Sequence, residues 1–124
     1  MSQDIVSDAL NQIMNSKKVE KREVKINKHS KLLINLFEIM KEKGHIDYEI
    51  KSDKSVVVKI IKLNECKAVK PRYYVGVTEI NKYLRRFLPS RKFGNLIIST
   101  NNGLLIHQEA IKQNVGGSII AYFY

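Results

Sequence analysis

Ser99-Thr100-Asn101-Asn102-Gly103 places two hydroxyls and two carboxamides in four successive positions and closes them with a glycine. Each of these groups both donates and accepts hydrogen bonds, so the set can read base edges, ribose 2′-hydroxyls or phosphate oxygens. The same residues also spell an ordinary polar turn that needs no ligand. Their company points to a ligand. Arg85, Arg86, Arg91 and Lys92 lie close in sequence, and Gly116-Gly117 offers bare backbone where a ribose-phosphate chain can approach. Cations of this kind supply affinity, while a small polar tip supplies position and selectivity. A second basic stretch runs through Lys17, Lys18, Lys21, Arg22, Lys25, Lys28 and Lys31, partly offset by Glu20 and Glu23. It reads either as a solvated face or as a secondary phosphate contact. Tyr73, Tyr74 and Tyr83 are candidate stacking platforms, although the helical spacing of Tyr83 turns it towards a core.

Other chemistries lack their residues. No glycine-rich loop leads into Lys-Ser or Lys-Thr, so there is no P-loop, and Gly116-Gly117 lacks the flanking glycines of a dinucleotide site. His29, His45 and His107 are scattered without metal-ligand spacing. Cys66 is expected to be a structural or neutral thiol. Beyond residue 66 the acids are Glu79 and Glu109 alone, a poor supply for paired-carboxylate catalysis. The expectation is a non-enzyme with no cofactor, no metal and no small-molecule substrate.

The whole chain agrees with an anionic partner. It has 124 residues, 22 basic and 12 acidic, for a net charge of +10. Residues 1–66 carry 13 basic and 10 acidic side chains, whereas residues 67–124 carry 9 and 2. The anion-poor second part repels itself unless a polyanion neutralises it. A membrane surface is the other anionic partner. It calls for a basic amphipathic helix or a lipid signal, and neither stands in this sequence, so no membrane is expected. Asp4 and Asp8 precede any apolar run, unlike a secretory signal. A single cysteine leaves no internal disulfide framework, so a reducing, intracellular setting is expected. At 44% hydrophobic residues the chain can bury a core.

The elements that must hold these groups follow from periodicity. Ser2 to Met14 reads as a helix capped by Ser2, with Asn15 to Lys18 as its polar exit. Glu23 to Ile26 alternates as a strand. Ser30 caps a second helix whose core face is Leu33, Leu36, Phe37 and Met40 and which Gly44 ends. Ile46 to Ile50 and Val56 to Ile61 are strands around the turn Ser52-Asp53-Lys54. Residues 63–72 read as a connector, dividing an N-terminal lobe, 1–62, from a C-terminal lobe, 73–124. In the second lobe Tyr73 to Val77 is extended, and Thr78 caps a short helix through Phe87 that Pro89 stops. Leu96 to Thr100 and Leu104 to Ile106 form a hairpin around Asn101-Asn102-Gly103. His107 to Gln113 makes one or two helical turns, and Ser118 to Tyr124 is the last strand. The class is α+β: helix, strand, helix, strand, strand, then a mostly β lobe with short helices.

Motifs spread over nearly the whole chain resemble the universal small-subunit ribosomal protein eight family. They are Leu88-Pro89-Ser90-Arg91-Lys92-Phe93-Gly94, Ser99 to Gly103, His107-Gln108-Glu109-Ala110 and Val115-Gly116-Gly117. Leu63-Asn64-Glu65-Cys66 followed by Pro71-Arg72-Tyr73 is similar to the eukaryotic cytosolic form, with the archaeal form next. The resemblance implies two α+β lobes and a structural constituent of the small ribosomal subunit in the cytoplasm. It implies binding to a helix of the central domain of small-subunit ribosomal RNA, support for assembly of that domain, and neighbouring small-subunit proteins as partners. The family's Ser-Thr-Ser-x-Gly turn maps onto Ser99, Thr100, Asn101 and Gly103, with Gly116 and Gly117 beside it, and its Ser-Lys at a helix start maps onto Ser30 and Lys31. The second serine of that turn is Asn101 here, and the acid that follows the paired glycines in bacterial members is Ser118. A free RNA-binding repressor of its own messenger uses the same turn and stands as the alternative.

Overall fold

The computed structural model describes residues 5–27, 29–69, 72, 74–88 and 94–124. Its contacts divide the chain into two units, Met1–Cys66 and Lys67–Tyr124.

In the first unit, Val6, Ala9, Leu10 and Ile13 recur at helical spacing and are buried along helix α1, Ile5–Lys18. The helix runs past the expected end at Met14. Asn15 and Ser16 extend it without breaking the hydrogen-bond ladder, and Lys17 and Lys18 suit the negative end of its dipole. The expected cap, Ser2, lies outside the described residues, as does Asp4. Strand β1 is Glu23–Ile26. Helix α2, Lys31–Glu42, begins where the Ser30 hydroxyl accepts the Leu33 N–H at 3.2 Å. It buries the expected Leu33, Leu36, Phe37 and Met40. Gly44 then takes φ +80°, a left-handed turn that glycine adopts without a Cβ penalty. Strands β2, Ile46–Ile50, and β3, Val56–Ile60, complete an antiparallel sheet of order β1-β3-β2. Ile26 pairs with Val56, and Val58 with both Val24 and Tyr48, so these side chains share one face. Glu23, Lys59 and Asp47 share the other, where Lys59 and Glu23 form an ion pair at 3.8 Å. Both helices pack on this sheet.

The second unit is built on strand β8, Gly117–Phe123. Strands β4 (Cys66–Ala68), β5 (Tyr74–Val75) and β6 (Asn95–Thr100) pair with it, and β7 (Gly103–Ile106) pairs with β6. A 3-10 turn, Val77–Glu79, leads into α3, Ile80–Phe87, and α4 spans His107–Lys112. The core gathers Val75, Ile80, Leu84, Leu96, Ile98, Ala110 and Ile119. The expected α+β class and order of elements hold, with two corrections. The segment read as a connector contains β4, and Leu63, Cys66 and Val69 within it are buried. Its apolar residues recur every third position, which hides so short a strand from a search for alternation. Thr78 is not a cap: it lies inside the 3-10 turn, whose N-cap is Gly76. Pro71, Tyr73 and Pro89 lie outside the described residues.

Candidate nucleic-acid interface

The β6–β7 hairpin builds the polar tip. Thr100 pairs with Gly103, leaving Asn101-Asn102 as a two-residue loop. Gly103 takes φ +99°. The Thr100 hydroxyl donates to Gly103 O at 2.8 Å and accepts the Asn102 N–H at 3.0 Å, so it locks the turn. Asn102 Nδ2 donates to Gln113 Oε1 at 3.1 Å, tying the tip to the residue that ends α4. These bonds define two roles. Thr100 and Asn102 hold the loop in shape. Asn101 is exposed and Ser99 half-buried, and among the described residues neither side chain has a hydrogen-bond partner. They are the polar side chains of the tip that the fold leaves unbonded.

Strand register adds residues that a linear reading does not bring together. Ser99 lies opposite Leu104 on β7 and Ser118 on β8, and Ser118 lies opposite Tyr74 on β5. Directly opposed residues project from the same face. Tyr74, Ser118, Ser99 and Leu104 thus form one row across four strands, with two hydroxyls at its centre. Tyr74 is 75% exposed. Only pairing places Ser118 beside Ser99, so a linear reading gives no signal for it.

Gly116 and Gly117 receive a different explanation from the one their sequence suggests. A Cβ on Gly117 would stand 2.0 Å from Ser99 O, and one on Gly116 would stand 2.4 Å from Val75 O. Gly117 is buried. The space left by these side chains is filled by the protein's own strands, so the strand packing alone accounts for a glycine at each position. The glycines act on the tip from behind, by letting β8 close on β6 at Ser99.

The remaining candidates divide between the units. Arg85 and Arg86 are exposed in the last turn of α3, with the Arg86 guanidinium 5.7 Å from the centre of the Phe87 ring. Tyr83 is half-buried against the core, stacked on Phe87. Arg91, Lys92 and Lys28 lie outside the described residues. In the first unit Lys17, Lys18, Arg22 and Lys31 are exposed, while the Ser30 hydroxyl is occupied as a helix cap.

The histidines and the cysteine are engaged in the fold. His107 is buried, with Nδ1 accepting the Leu96 N–H at 3.2 Å. His29 and His45 each bond a backbone carbonyl, of Lys54 and Lys62, at 2.7 Å. The Cys66 thiol is buried, and burial, with Glu65 beside it, pushes it up to about 12. It is therefore protonated at neutral pH. Among the described residues no three His, Cys, Asp or Glu side chains gather as a metal site. No described helix is long and apolar enough to cross a membrane.

The model of the family described as ribosomal protein S8 matches residues 4–124. Small ribosomal subunit protein uS8 of the archaeon Methanococcoides burtonii is 39% identical over 126 residues, spanning 98% of this chain and 97% of that protein. Its counterpart in the eukaryote Neurospora crassa is 38% identical over 125 residues, spanning 97% and 96%.

Proposed function

Because the chain belongs to the ribosomal protein S8 family, whose named members are small-subunit proteins and not enzymes, we propose that it works by holding small-subunit ribosomal RNA. The β6–β7 tip sits against an irregular helix of the central domain of that RNA and supports assembly of the domain in the cytoplasm, beside neighbouring small-subunit proteins. The observation that carries the reading is the division of labour at the tip. Thr100 and Asn102 spend their hydrogen bonds shaping the loop, and Ser99 and Asn101 keep theirs. A buried turn would satisfy these groups internally. A tip that presents donors and acceptors on a well-bonded hairpin is organised for a polar ligand.

Charge supports the same reading. Residues 67–124 carry 9 basic and 2 acidic side chains, so phosphates meet little repulsion there. Arg85, Arg86, Arg91 and Lys92 supply backbone affinity. Ser99 and Asn101, with Ser118 alongside, read 2′-hydroxyls and base edges in a shallow minor groove. Gly103, Gly116 and Gly117 serve the shape of the tip. Lys31, with Ser30 as the cap of its helix, and Lys18 add phosphate contacts from the first unit.

Filter binding of the full chain to a central-domain RNA fragment and to an unrelated RNA of equal length tests this. Affinity for the matched fragment is expected to be higher, and to fall by roughly three to five decades between low and moderate salt if several phosphates are contacted. Equal affinity for the two RNAs, or a flat salt dependence, refutes the proposal.

A further inference from the structure

Lys17, Lys21, Arg22 and Lys62 surround a groove of about 520 Å³ in the first unit, between the end of α1 and the exit of β3. Glu20, Ile60, Ile61, Leu63 and Asn64 complete its lining. A second groove of about 460 Å³ shares Arg22, Ile60 and Ile61 with it and adds Glu23 and Lys59. The two make one open trough. Ile60 and Ile61 belong to both halves, Ile60 half-buried and Ile61 63% exposed. Adjacent aliphatic side chains along a cation-lined groove offer a partner both apolar surface and charge to meet.

The composition of this trough separates two kinds of polyanion. A phosphate backbone gains nothing from aliphatic surface, and its closely spaced charges meet Glu20 and Glu23. A protein segment with spaced carboxylates can set them against the cations, avoid those two acids, and lay its own aliphatic side chains on Ile60 and Ile61. Apolar centre and polar, charged rim is the usual anatomy of a protein–protein interface. We propose that the trough docks an acidic, aliphatic-bearing segment of a neighbouring small-subunit protein. Lys17, Lys21, Arg22 and Lys62 meet its carboxylates, and Ile60 and Ile61 meet its apolar side chains. Lys17 and Arg22 thereby serve a protein partner rather than the secondary RNA contact their sequence suggests. The inference rests on the chain's place in the small subunit and not on RNA contact by the hairpin.

Photo-crosslinking in assembled particles tests it. The full chain carrying Ile61→p-benzoylphenylalanine is expressed in the source cell, small subunits are purified and irradiated, and the adducts are sequenced. The expected adduct joins position 61 to a protein peptide of net negative charge. Lys17→Glu with Lys21→Glu should lower its yield about tenfold or more, since like charges then face each other across the contact. If particles exclude the double variant, Lys21→Glu alone is read in the same way. Adducts to RNA, adducts to a neutral or basic peptide, no adduct, or a yield indifferent to charge reversal would each overturn the proposal. RNA binding measured by filter assay stays unchanged in Ile61→p-benzoylphenylalanine, so failure here is distinct from failure of the hairpin's role.

Discussion

Gly117→Ala asks whether the paired glycines face the protein or its ligand. The added Cβ would stand 2.0 Å from Ser99 O, 2.8 Å from Ser99 C and 3.1 Å from Ile98 Cγ2. The first two are backbone atoms and cannot rotate away. Real Cβ atoms do not come within 3.0 Å of such neighbours, so β8 must part from β6 by about 1 Å at Ser99. Overpacking against fixed backbone costs about 2–3 kcal/mol. In urea that is a loss of about 1 M or more in the unfolding midpoint for a protein of this size. The Ser99–Ser118 pair moves with the strand, so discrimination between matched and unrelated RNA should fall alongside stability. Gly103→Ala is the control. Nothing lies within 4 Å of its Cβ position, so its cost is the backbone strain of φ +99° alone, about 1–2 kcal/mol. Paired urea titrations and filter-binding curves supply both readouts. An unchanged midpoint with RNA binding lost would refute the packing argument and return Gly117 to the ligand. An unchanged midpoint with binding intact would refute the close approach itself.

Ser99→Ala should cost about 1–2 kcal/mol in affinity for the matched RNA and little for an unrelated one, because one hydroxyl is left without its partner. Lys18→Ala should weaken both RNAs alike and lower the salt slope by about one, and equal behaviour of the two variants would deny the tip a reading role. Glu20 holds φ +62° where α1 ends, with Lys21 N–H bonded to Ser16 O at 2.9 Å, so Glu20→Gly should raise stability by about 1 kcal/mol in urea. No gain would show that the strain is relieved elsewhere. The Asp53 carboxylate, held by the Ser55 hydroxyl and N–H and by Lys25, is lowered to about 2. A depressed carboxylate stabilises above its unfolded pKa near 4 and loses that contribution as pH falls towards 2. Acid titration of the unfolding midpoint should therefore show a step across that window that Asp53→Ala reduces.

The parts legible from sequence are those set by local rules. The bounds of β1 and the cap, core face and stop of α2 all follow from alternation, a hydroxyl at the N-cap and a glycine at the exit. Three helix ends share one backbone pattern, yet only Gly44 announces itself. Glu20 and Asn114 take the same left-handed turn after α1 and α4 without a glycine to signal it. What escaped depends on pairing between distant segments. Strand β4 exists because β8 offers it an edge, and the real neighbour of Ser99 is Ser118, nineteen positions away. The glycines were conspicuous, but the strand contact behind them was not: the same absence of a side chain suits a nucleic-acid backbone or a neighbouring strand, and the neighbouring strand shows itself only in the register. At the hairpin, the polar composition was plain, whereas the split between loop-shaping Thr100 and Asn102 and the unbonded side chains of Ser99 and Asn101 needed the bonds themselves.

A density map of the small ribosomal subunit from the source cell, resolved well enough to place side chains, tests the central claim most directly. The account predicts the Ser99 hydroxyl and the Asn101 carboxamide within hydrogen-bond distance of small-subunit RNA, at a minor-groove face of the central domain. A tip standing in solvent, or packed against protein alone, would contradict it.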